Sequence, residues 1–377
     1  MTTQLAEKHL ETGLMYEHGL GVEQDYAQAM QWYQKAADHG NEIAQLLLGS
    51  LYERGLGVGD VDLQQAVFLY KKSADQGEGI AQCSLARMYS KGHGVEQDYQ
   101  QAVYWYRKAA EQGVIMAYRN IGILHITPGL GVENDYKEAF LWFSKAAENC
   151  DIYSQCILGA LYEHGLGVPK DYNQAVYWYR KAAEQGEKIA QRILGIMYKG
   201  GLGVENDYKE AFLWFSKAAA QGDSNAQVRL AVMYCAGQGV EQDYQQAAYW
   251  YRKAAEQGNA NAQLFLACMY EHGRGVEQDY AQALQWYRLA ADQGEAYAQW
   301  CIGSLYEEGH GVEQDYAQAV YWYRKAAEHG LAKAQNRLGL MYEHGLGVEQ
   351  DYSQAVYWYR KAAEQGDADA QIAADCT

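Results

Sequence analysis

Four Tyr-Glu-His-Gly runs place a carboxylate beside an imidazole, a pairing that could carry out acid–base chemistry. They begin at Tyr16, Tyr162, Tyr270 and Tyr342. A positioned carboxylate–histidine pair can transfer a proton. A catalytic dyad, however, occurs once and in an enclosed pocket. Four copies at predicted helix ends are better explained as histidines that complement the C-terminal helix dipole. The sequence therefore predicts no catalytic residue and a protein that is not an enzyme.

Glycine-rich Gly-Leu-Gly-Val turns raise the possibility of phosphate binding. They lack the preceding strand and the lysine that a phosphate cradle uses, and we interpret them as turns. The chain also contains no HExxH, GxSxG, SxxK, GxGxxG or Walker motif. We therefore predict no cofactor and no metal site.

The seven cysteines follow no metal-binding or regular disulfide spacing. They are residues 83, 150, 156, 235, 268, 301 and 376. We interpret them as reduced thiols, mostly buried as small apolar groups. The first residues also show no basic segment followed by an apolar one, so no signal peptide is visible. We expect a cytoplasmic protein, and leave open its export as an effector.

The charge balance argues against nucleic acid as a partner. The chain has 48 acidic and 31 basic residues, which gives a net charge of −17, and such a chain repels phosphate backbones. Five Arg-Lys pairs on predicted helices favour a solvated face with nearby glutamates over a nucleic-acid track. They start at Arg107, Arg180, Arg252, Arg324 and Arg360. No apolar run approaches a membrane span, so we predict no membrane insertion.

The positions of Gly-Val dipeptides show that one unit is repeated ten times. Their glycines recur every 36 or 37 residues from Gly21 to Gly347. A 36-residue period is a supersecondary unit rather than a domain. The two longer intervals carry an insertion, one within Val58–Asp62 and the other within His125–Gly129.

Each unit is predicted to contain two helices, which we call A and B. In the B helix, Asp25 is a suitable N-cap, and Ala29, Trp32, Tyr33, Ala36 and Ala37 form one apolar stripe. In the A helix, the stripe is Ala44, Leu48, Leu51 and Tyr52, and Gly49 allows close approach of the neighbouring helix. Gly40 lies where a left-handed residue ends helix B.

Stacked helix pairs bury a continuous core, which predicts an all-α, right-handed α-solenoid with a tetratricopeptide-like superhelix. We predict one domain over residues 1–377. Its repeats lie at about 4–40, 41–77, 78–113, 114–150, 151–186, 187–222, 223–258, 259–294, 295–330 and 331–366, with a short C-terminal capping helix at 367–377. Lys8, Glu11 and Thr12 replace apolar residues in the first unit, as a solubilising cap would.

The repeated pattern resembles the Sel-1-like repeat, a relative of the tetratricopeptide repeat. The resemblance covers nearly the whole chain, and residues 334–366 match it almost throughout, from Ala334 and Leu338-Gly339 to Trp358-Tyr359 and Gly366. It implies a protein-binding scaffold or adaptor, mostly bacterial, often in signalling or host contact. Some secreted relatives carry a regular disulfide in each repeat, and this sequence lacks that cysteine pattern.

Departures from the repeat indicate where a partner would bind. The positions of Ile43, Leu46, Leu47 and Ser50 lie away from the core stripe of helix A, on the side that lines the concave surface in similar solenoids. Aromatic and arginine side chains there are typical of interfaces. We predict that the partner-binding residues are Tyr153, Arg192, Arg229, Phe265, Tyr297, Trp300, Asn336 and Arg337.

The leading hypothesis is a non-enzymatic scaffold that binds a peptide or protein in the groove lined by the A helices. Packing between successive A helices is the alternative explanation for these residues. A second hypothesis, taken from the resemblance, is weak activity on, or binding of, cell-wall-related ligands. A third is a structural array that associates through exposed tyrosines at Tyr104, Tyr177, Tyr249, Tyr321 and Tyr357. The sequence leaves the oligomeric state open.

Overall fold

The protein is helical wherever its structure is described. The computed structural model describes residues 2–57, 59–129 and 135–376, and within these ranges it contains 21 helices and no strand. Successive helices pair as A and B elements, and the chain ends on a short helix that packs against the last B helix. The predicted all-α repeat fold and its capping helix are confirmed, and the handedness of the superhelix stays a prediction.

The chain divides into two compact units, and the first covers Met1–Gln185. Its helices are α1 (Thr2–His18), α2 (Tyr26–Asp38), α3 (Glu42–Arg54), α4 (Leu63–Asp75), α5 (Gly79–Lys91), α6 (Tyr99–Glu111), α7 (Ile115–Ile126), α8 (Tyr136–Glu148), α9 (Ile152–His164) and α10 (Tyr172–Glu184).

The second unit covers Gly186–Thr377. Its helices are α11 (Lys188–Gly200), α12 (Tyr208–Ala220), α13 (Ser224–Ala236), α14 (Tyr244–Glu256), α15 (Ala260–His272), α16 (Tyr280–Asp292), α17 (Ala296–Glu308), α18 (Tyr316–Glu328), α19 (Ala332–His344), α20 (Tyr352–Ala363) and α21 (Ala368–Cys376). Odd-numbered helices are A helices and even-numbered ones are B helices. The prediction of a single domain over the whole chain stays a prediction.

Helix ends are set by the residues that the sequence pattern singled out. Asp25 begins α2 by accepting hydrogen bonds from the backbone nitrogens of Ala27 and Gln28 at 2.9 and 3.0 Å. Gly273 ends α15 in the left-handed region, with φ of 64°. A second glycine, Gly275, lies against the preceding B helix, and a Cβ there would be 2.0 Å from the carbonyl oxygen of Tyr244. The glycine-rich segments are therefore turns that hold consecutive repeats close together.

Close packing of A on B depends on a small residue under an aromatic ring. Tyr179 of α10 is almost fully buried and lies over Gly159 of α9. A Cβ on Gly159 would lie 2.7 Å from that ring. The predicted role of the Gly49 position is confirmed by this contact.

The repeat at about 114–150, which contains the insertion within His125–Gly129, ends on an unusual residue. Cys150 follows α8 with φ of 65°, where other repeats have glycine, and it is the single non-glycine residue with positive φ in the described ranges. The backbone at Cys150 therefore keeps the left-handed conformation of the equivalent residue Gly40. The repeat glycine at position 131 and Val58 lie outside the described residues. At the first repeat, Lys8 and Glu11 are exposed, as expected of a cap.

Candidate partner-binding surface

A buried glutamine in eight of the A helices joins consecutive repeats. Gln45 Nε2 donates to the carbonyl of Ala37 in the preceding B helix at 3.3 Å. Its Oε1 accepts from Gln76, which follows the next B helix, at 2.8 Å. Equivalent side-chain contacts are made to Oε1 of Gln82, Gln155, Gln191, Gln227, Gln263, Gln299 and Gln335. Sequence reasoning missed this row, although the recurring Ala-Gln dipeptide was its signal.

The glutamates of the Tyr-Glu-His-Gly runs hold core tyrosines. The hydroxyl of Tyr179 donates to Glu163 Oε2 at 2.8 Å. Burial, followed by this hydrogen bond, raises the pKa of Tyr179. The same contact joins Tyr33 to Glu17, Tyr70 to Glu53, Tyr287 to Glu271, Tyr323 to Glu307 and Tyr359 to Glu343. Each of these carboxylates positions a ring. In the four Tyr-Glu-His-Gly runs, the histidine is exposed and is the last residue of its helix, as predicted.

The lysines on the B helices lie over aromatic rings. Lys108 Nζ is 4.9 Å from the ring centre of Tyr104, and Lys181 Nζ is 4.9 Å from that of Tyr177. Arg252 Nη2 donates to the hydroxyl of Tyr270 at 2.7 Å. Cation–π contacts at exposed sites contribute about 0.5–1 kcal/mol each. The lysines of the basic stripe thus pack on rings, while Arg107 pairs with Glu138 at 3.4 Å, a glutamate of the next B helix.

We call the surface formed by the positions of Ile43, Leu46, Leu47 and Ser50 the A-helix surface. In the first unit, the position of Ile43 holds an exposed apolar side chain in each of four successive A helices. Tyr153, a predicted partner residue, is 48% exposed. The same position in the three preceding A helices holds Ile43, Ile80 and Met116, exposed by 44%, 50% and 47%. Sequence reasoning missed these three, although apolar residues outside the core stripe were the available signal.

Tyr297 and Trp300 form an aromatic pair on this surface in the second unit. Their ring centres are 5.3 Å apart. Tyr297 is 39% exposed. Trp300 is only partly exposed and packs against two separate groups of buried apolar side chains in the core. The pair is therefore formed as predicted, and Trp300 also has a structural role.

Phe265 is exposed but belongs to a different contact. Its ring lies 5.3 Å from that of Tyr251 in the B helix of the preceding repeat. In the described ring contacts of the second unit it does not join the Tyr297–Trp300 pair. These three predicted partner residues therefore form two separate aromatic contacts.

Arg192 and Asn336 occupy the same repeat position and both contact the next A helix. Arg192 Nε donates to Asp223 Oδ2 at 3.1 Å. Asn336 Nδ2 donates to Asp367 Oδ1 at 3.0 Å. Each aspartate also accepts a backbone hydrogen bond at the start of its own helix. In the first unit, Arg119 pairs with Asp151 in the same way. Their predicted contact with a partner stays a prediction.

Arg229 and Arg337 share a second repeat position but differ in their neighbours. Arg337 binds both oxygens of Glu307, with Nε 2.9 Å from Oε2. This hydrogen-bonded pair raises the pKa of Arg337. Arg229 is exposed, and partial burial followed by the charge of Arg192 lowers the pKa of Arg229. One arginine is neutralised within the chain, and the other is crowded by a like charge.

Two grooves in the second unit contain most of the predicted partner residues. One of about 560 Å³ is lined by Trp300, Glu307, Asn336, Arg337 and Asp367 among others. The other, of about 420 Å³, is lined by Arg192, Lys199 and Arg229 together with asparagines and valines. Both are open to solvent, as a site for an extended chain would be. Across the described ranges, no group of three or more metal-ligating side chains could hold an ion.

Comparison with known proteins identifies the repeat. The Sel1 repeat model matches ten segments that together cover residues 9–41, 43–78, 79–114, 115–149, 152–187, 188–223, 224–259, 260–295, 296–331 and 332–367. In the part of the chain that the structure describes, no helix is long and apolar enough to cross a membrane.

Solved structures of bacterial proteins share this fold. A protective antigen present in uropathogenic Escherichia coli strains is 40% identical, with a TM-score of 0.86 over 98% of this chain and 79% of that one. A Sel1 repeat protein from Oxalobacter formigenes is 35% identical, with a TM-score of 0.66 over 88% of this chain and 92% of that one.

A curated relative matches over a short segment. It is a putative sel1-like repeat-containing protein of Acanthamoeba polyphaga mimivirus, 46% identical over 46 residues, which are 12% of this chain and 8% of the relative. Sel1 repeat proteins generally mediate protein–protein interaction and are typically non-enzymatic scaffolds. With ten matched repeats, the chain belongs to the Sel1 repeat family.

Proposed function

We propose that this protein is a non-enzymatic scaffold that binds a peptide segment of a protein partner along its A-helix surface. The observation that carries the proposal is the row of Ile43, Ile80, Met116 and Tyr153. Four successive A helices of one unit each expose about half of an apolar side chain at the same position. Isolated exposed apolar residues are ordinary, whereas a contiguous row marks an interaction surface.

The packing of the repeats supports the same conclusion. Glutamine, tyrosine and glutamate contacts connect the helices without using the Ile43 position. The exposed half of each of these side chains is therefore available for a ligand. A regular row along stacked helices suits an extended segment, which offers side chains at regular intervals.

The absence of catalytic machinery is part of the proposal. The carboxylates that could have worked beside histidines are hydrogen-bonded to core tyrosines. We also propose a cytoplasmic location, since the six cysteines Cys83, Cys150, Cys156, Cys235, Cys268 and Cys301 are free thiols. The similar antigen from Escherichia coli makes bacterial host contact one setting for the proposed scaffold.

Selection of peptide ligands tests the proposal. A library of random twelve-residue peptides displayed on phage is panned against the full chain. An enriched peptide is then made with a photoreactive phenylalanine analogue, and its cross-links are mapped by mass spectrometry. We expect cross-links in A helices, near Ile80 and Tyr153 or near Tyr297. Failure to enrich any sequence would contradict the proposal.

Self-association through the B helices is the competing function. Tyr104, Tyr177, Tyr249, Tyr321 and Tyr357 are each 48% exposed, which is the specific observation in its favour. Cross-links confined to these tyrosines, together with a dimer in sedimentation that tyrosine-to-serine changes abolish, would replace the scaffold by this alternative.

A further inference from the structure

One repeat of the second unit has a positive side chain at the position where six repeats have a glutamate that binds the core tyrosine. Most repeats pair a buried tyrosine with a glutamate. In this repeat the ring is Phe215, which has no hydroxyl to donate, and the glutamate position holds Lys199. The loss of the hydroxyl removes the need for an acceptor, so a lysine is tolerated. Lys199 therefore adds a positive charge to the groove beside the A-helix surface, at a position that is glutamate in six repeats.

Because Lys199 stands where other repeats have glutamate, Arg229 lacks the partner that Arg337 has. Arg337 is held by Glu307, one repeat earlier. The residue in the corresponding place relative to Arg229 is Lys199. Within the described residues, no hydrogen bond or ion pair to Arg229 is found. Lys199 and Arg229 line the same groove.

A third cation completes this group, and one carboxylate offsets it. Arg192 lines the groove and contacts Asp223, whose second oxygen accepts the backbone nitrogen of Ala226. Asp223 is therefore already used by two donors. Three positive side chains against one negative leave the groove cationic, on a chain whose net charge is −17.

The rest of the lining suits a peptide. Asn225, Asn259, Asn261, Val228 and Val232 also line the groove. Asn259 is already used, because its Nδ2 donates to Asn225 Oδ1 and its Oδ1 accepts from the backbone nitrogen of Ala262. An amide side chain both donates and accepts hydrogen bonds, as a peptide backbone does. A phosphodiester has acceptors alone, and the net negative charge of the chain opposes a polyanion. The groove thus combines a charge for a carboxylate with groups for a backbone.

We propose that the groove lined by Arg192, Lys199 and Arg229 binds the side-chain carboxylate of an acidic residue in an extended peptide. The guanidinium of Arg229 can bind both carboxylate oxygens, as Arg337 binds Glu307 within the chain. Asn225 Nδ2 and the amide of Asn261 bind the flanking backbone. This inference rests on the proposed function and names the chemistry of the partner segment in the second unit.

The test uses a fluorescent, end-blocked, eight-residue peptide of alanine and serine with one central glutamate. Binding to the full chain is measured by anisotropy, beside the same peptide with glutamine for glutamate. We expect the glutamine peptide to bind at least about tenfold more weakly, because no charge pairs with the arginine. Lys199→Glu should weaken binding of the acidic peptide by at least about tenfold, since it gives Arg229 an internal partner. Arg229→Met should do the same.

Lys209→Glu is the matched control, because it makes the same change in net charge. Lys209 is exposed on the first turn of α12 and lies outside the groove lining. We expect it to change the affinity less than about twofold, and all variants should melt within a few degrees of the parent. Equal losses with Lys199→Glu and Lys209→Glu would overturn the inference, as would equal binding of the glutamine peptide. Displacement of the peptide by an equal concentration of inorganic phosphate would show that any anion suffices and would also overturn it.

The outcome is separable from that of the proposed function. If the acidic peptide fails to bind while library-selected peptides still cross-link to the row from Ile43 to Tyr153, this inference alone falls. If the acidic peptide binds as described but no library peptide is enriched, the proposed peptide binding by the row from Ile43 to Tyr153 is contradicted and this inference stands.

Discussion

Arg337 donates through Nε and Nη2 to both carboxylate oxygens of Glu307, which lies one repeat earlier. The same glutamate accepts the hydroxyl of Tyr323 at 2.7 Å. A residue chosen from the sequence as a partner contact is therefore also part of a pairing within the chain. Variable positions on a repeat surface can thus be coupled to each other as well as to a ligand.

The coupling of Phe215 with Lys199 can be tested by restoring the pair found elsewhere. Phe215 is fully buried. Phe215→Tyr should destabilise the protein by about 1–3 kcal/mol, because its hydroxyl would lack an acceptor. Adding Lys199→Glu should recover most of that loss in denaturant unfolding. A purely additive double mutant would show that the two positions are independent.

Stability should depend on acid through the carboxylate of Glu53. Burial would raise the pKa of Glu53, but hydrogen bonds from Arg87 and Tyr70 outweigh burial and lower it. Because the pKa is lowered in the folded state, its stabilisation is complete above the ordinary value of 4.5 and is lost as the pH falls through the folded value.

We therefore expect Glu53→Gln to cost about 1–3 kcal/mol near neutral pH, as for a broken charged hydrogen bond. The difference from the parent should shrink below pH 4.5 in chemical denaturation. Glu96→Gln, at an exposed residue, is the control and should change little. A difference independent of pH would show that the charge of Glu53 is not what stabilises the fold.

Cys150 has a strained backbone that glycine would relieve. A side chain at φ of 65° costs about 1 kcal/mol. Cys150→Gly should raise the free energy of unfolding by about that amount, whereas Cys150→Ala should give no such gain because it keeps a Cβ. Melting temperatures measured in reducing buffer compare the three. A lower value for the glycine variant would contradict this account.

Tyr297 and Trp300 should separate binding from stability. Trp300 packs on two core clusters, so Trp300→Ala should cost about 2 kcal/mol or more. Tyr297 is 39% exposed, and Tyr297→Ala should cost less than about 1 kcal/mol. Denaturant unfolding measures both changes. If Tyr297→Ala proves as costly as Trp300→Ala, the tyrosine belongs to the core.

The repeat pattern was sufficient to predict the helices, because each one follows from local spacing and caps such as Asp25 and Gly273. Contacts across repeats were not predicted. The pairing of Arg192 with Asp223 depends on the distance between two A helices, which no local pattern contains. The tyrosine–glutamate pairs could have been found, since Phe215 and Lys199 change together in the same repeat.

The central claim is that the A-helix surface, and not the B-helix face, holds the partner. Tyr153 and Tyr177 are equally exposed, at 48%, on an A helix and a B helix of the first unit. Calorimetric titration of a library-selected peptide that cross-links to the first unit, into the Tyr153→Ser and Tyr177→Ser variants, compares the two surfaces directly. The account predicts at least about tenfold weaker binding for Tyr153→Ser and an unchanged affinity for Tyr177→Ser. The reverse order would contradict it.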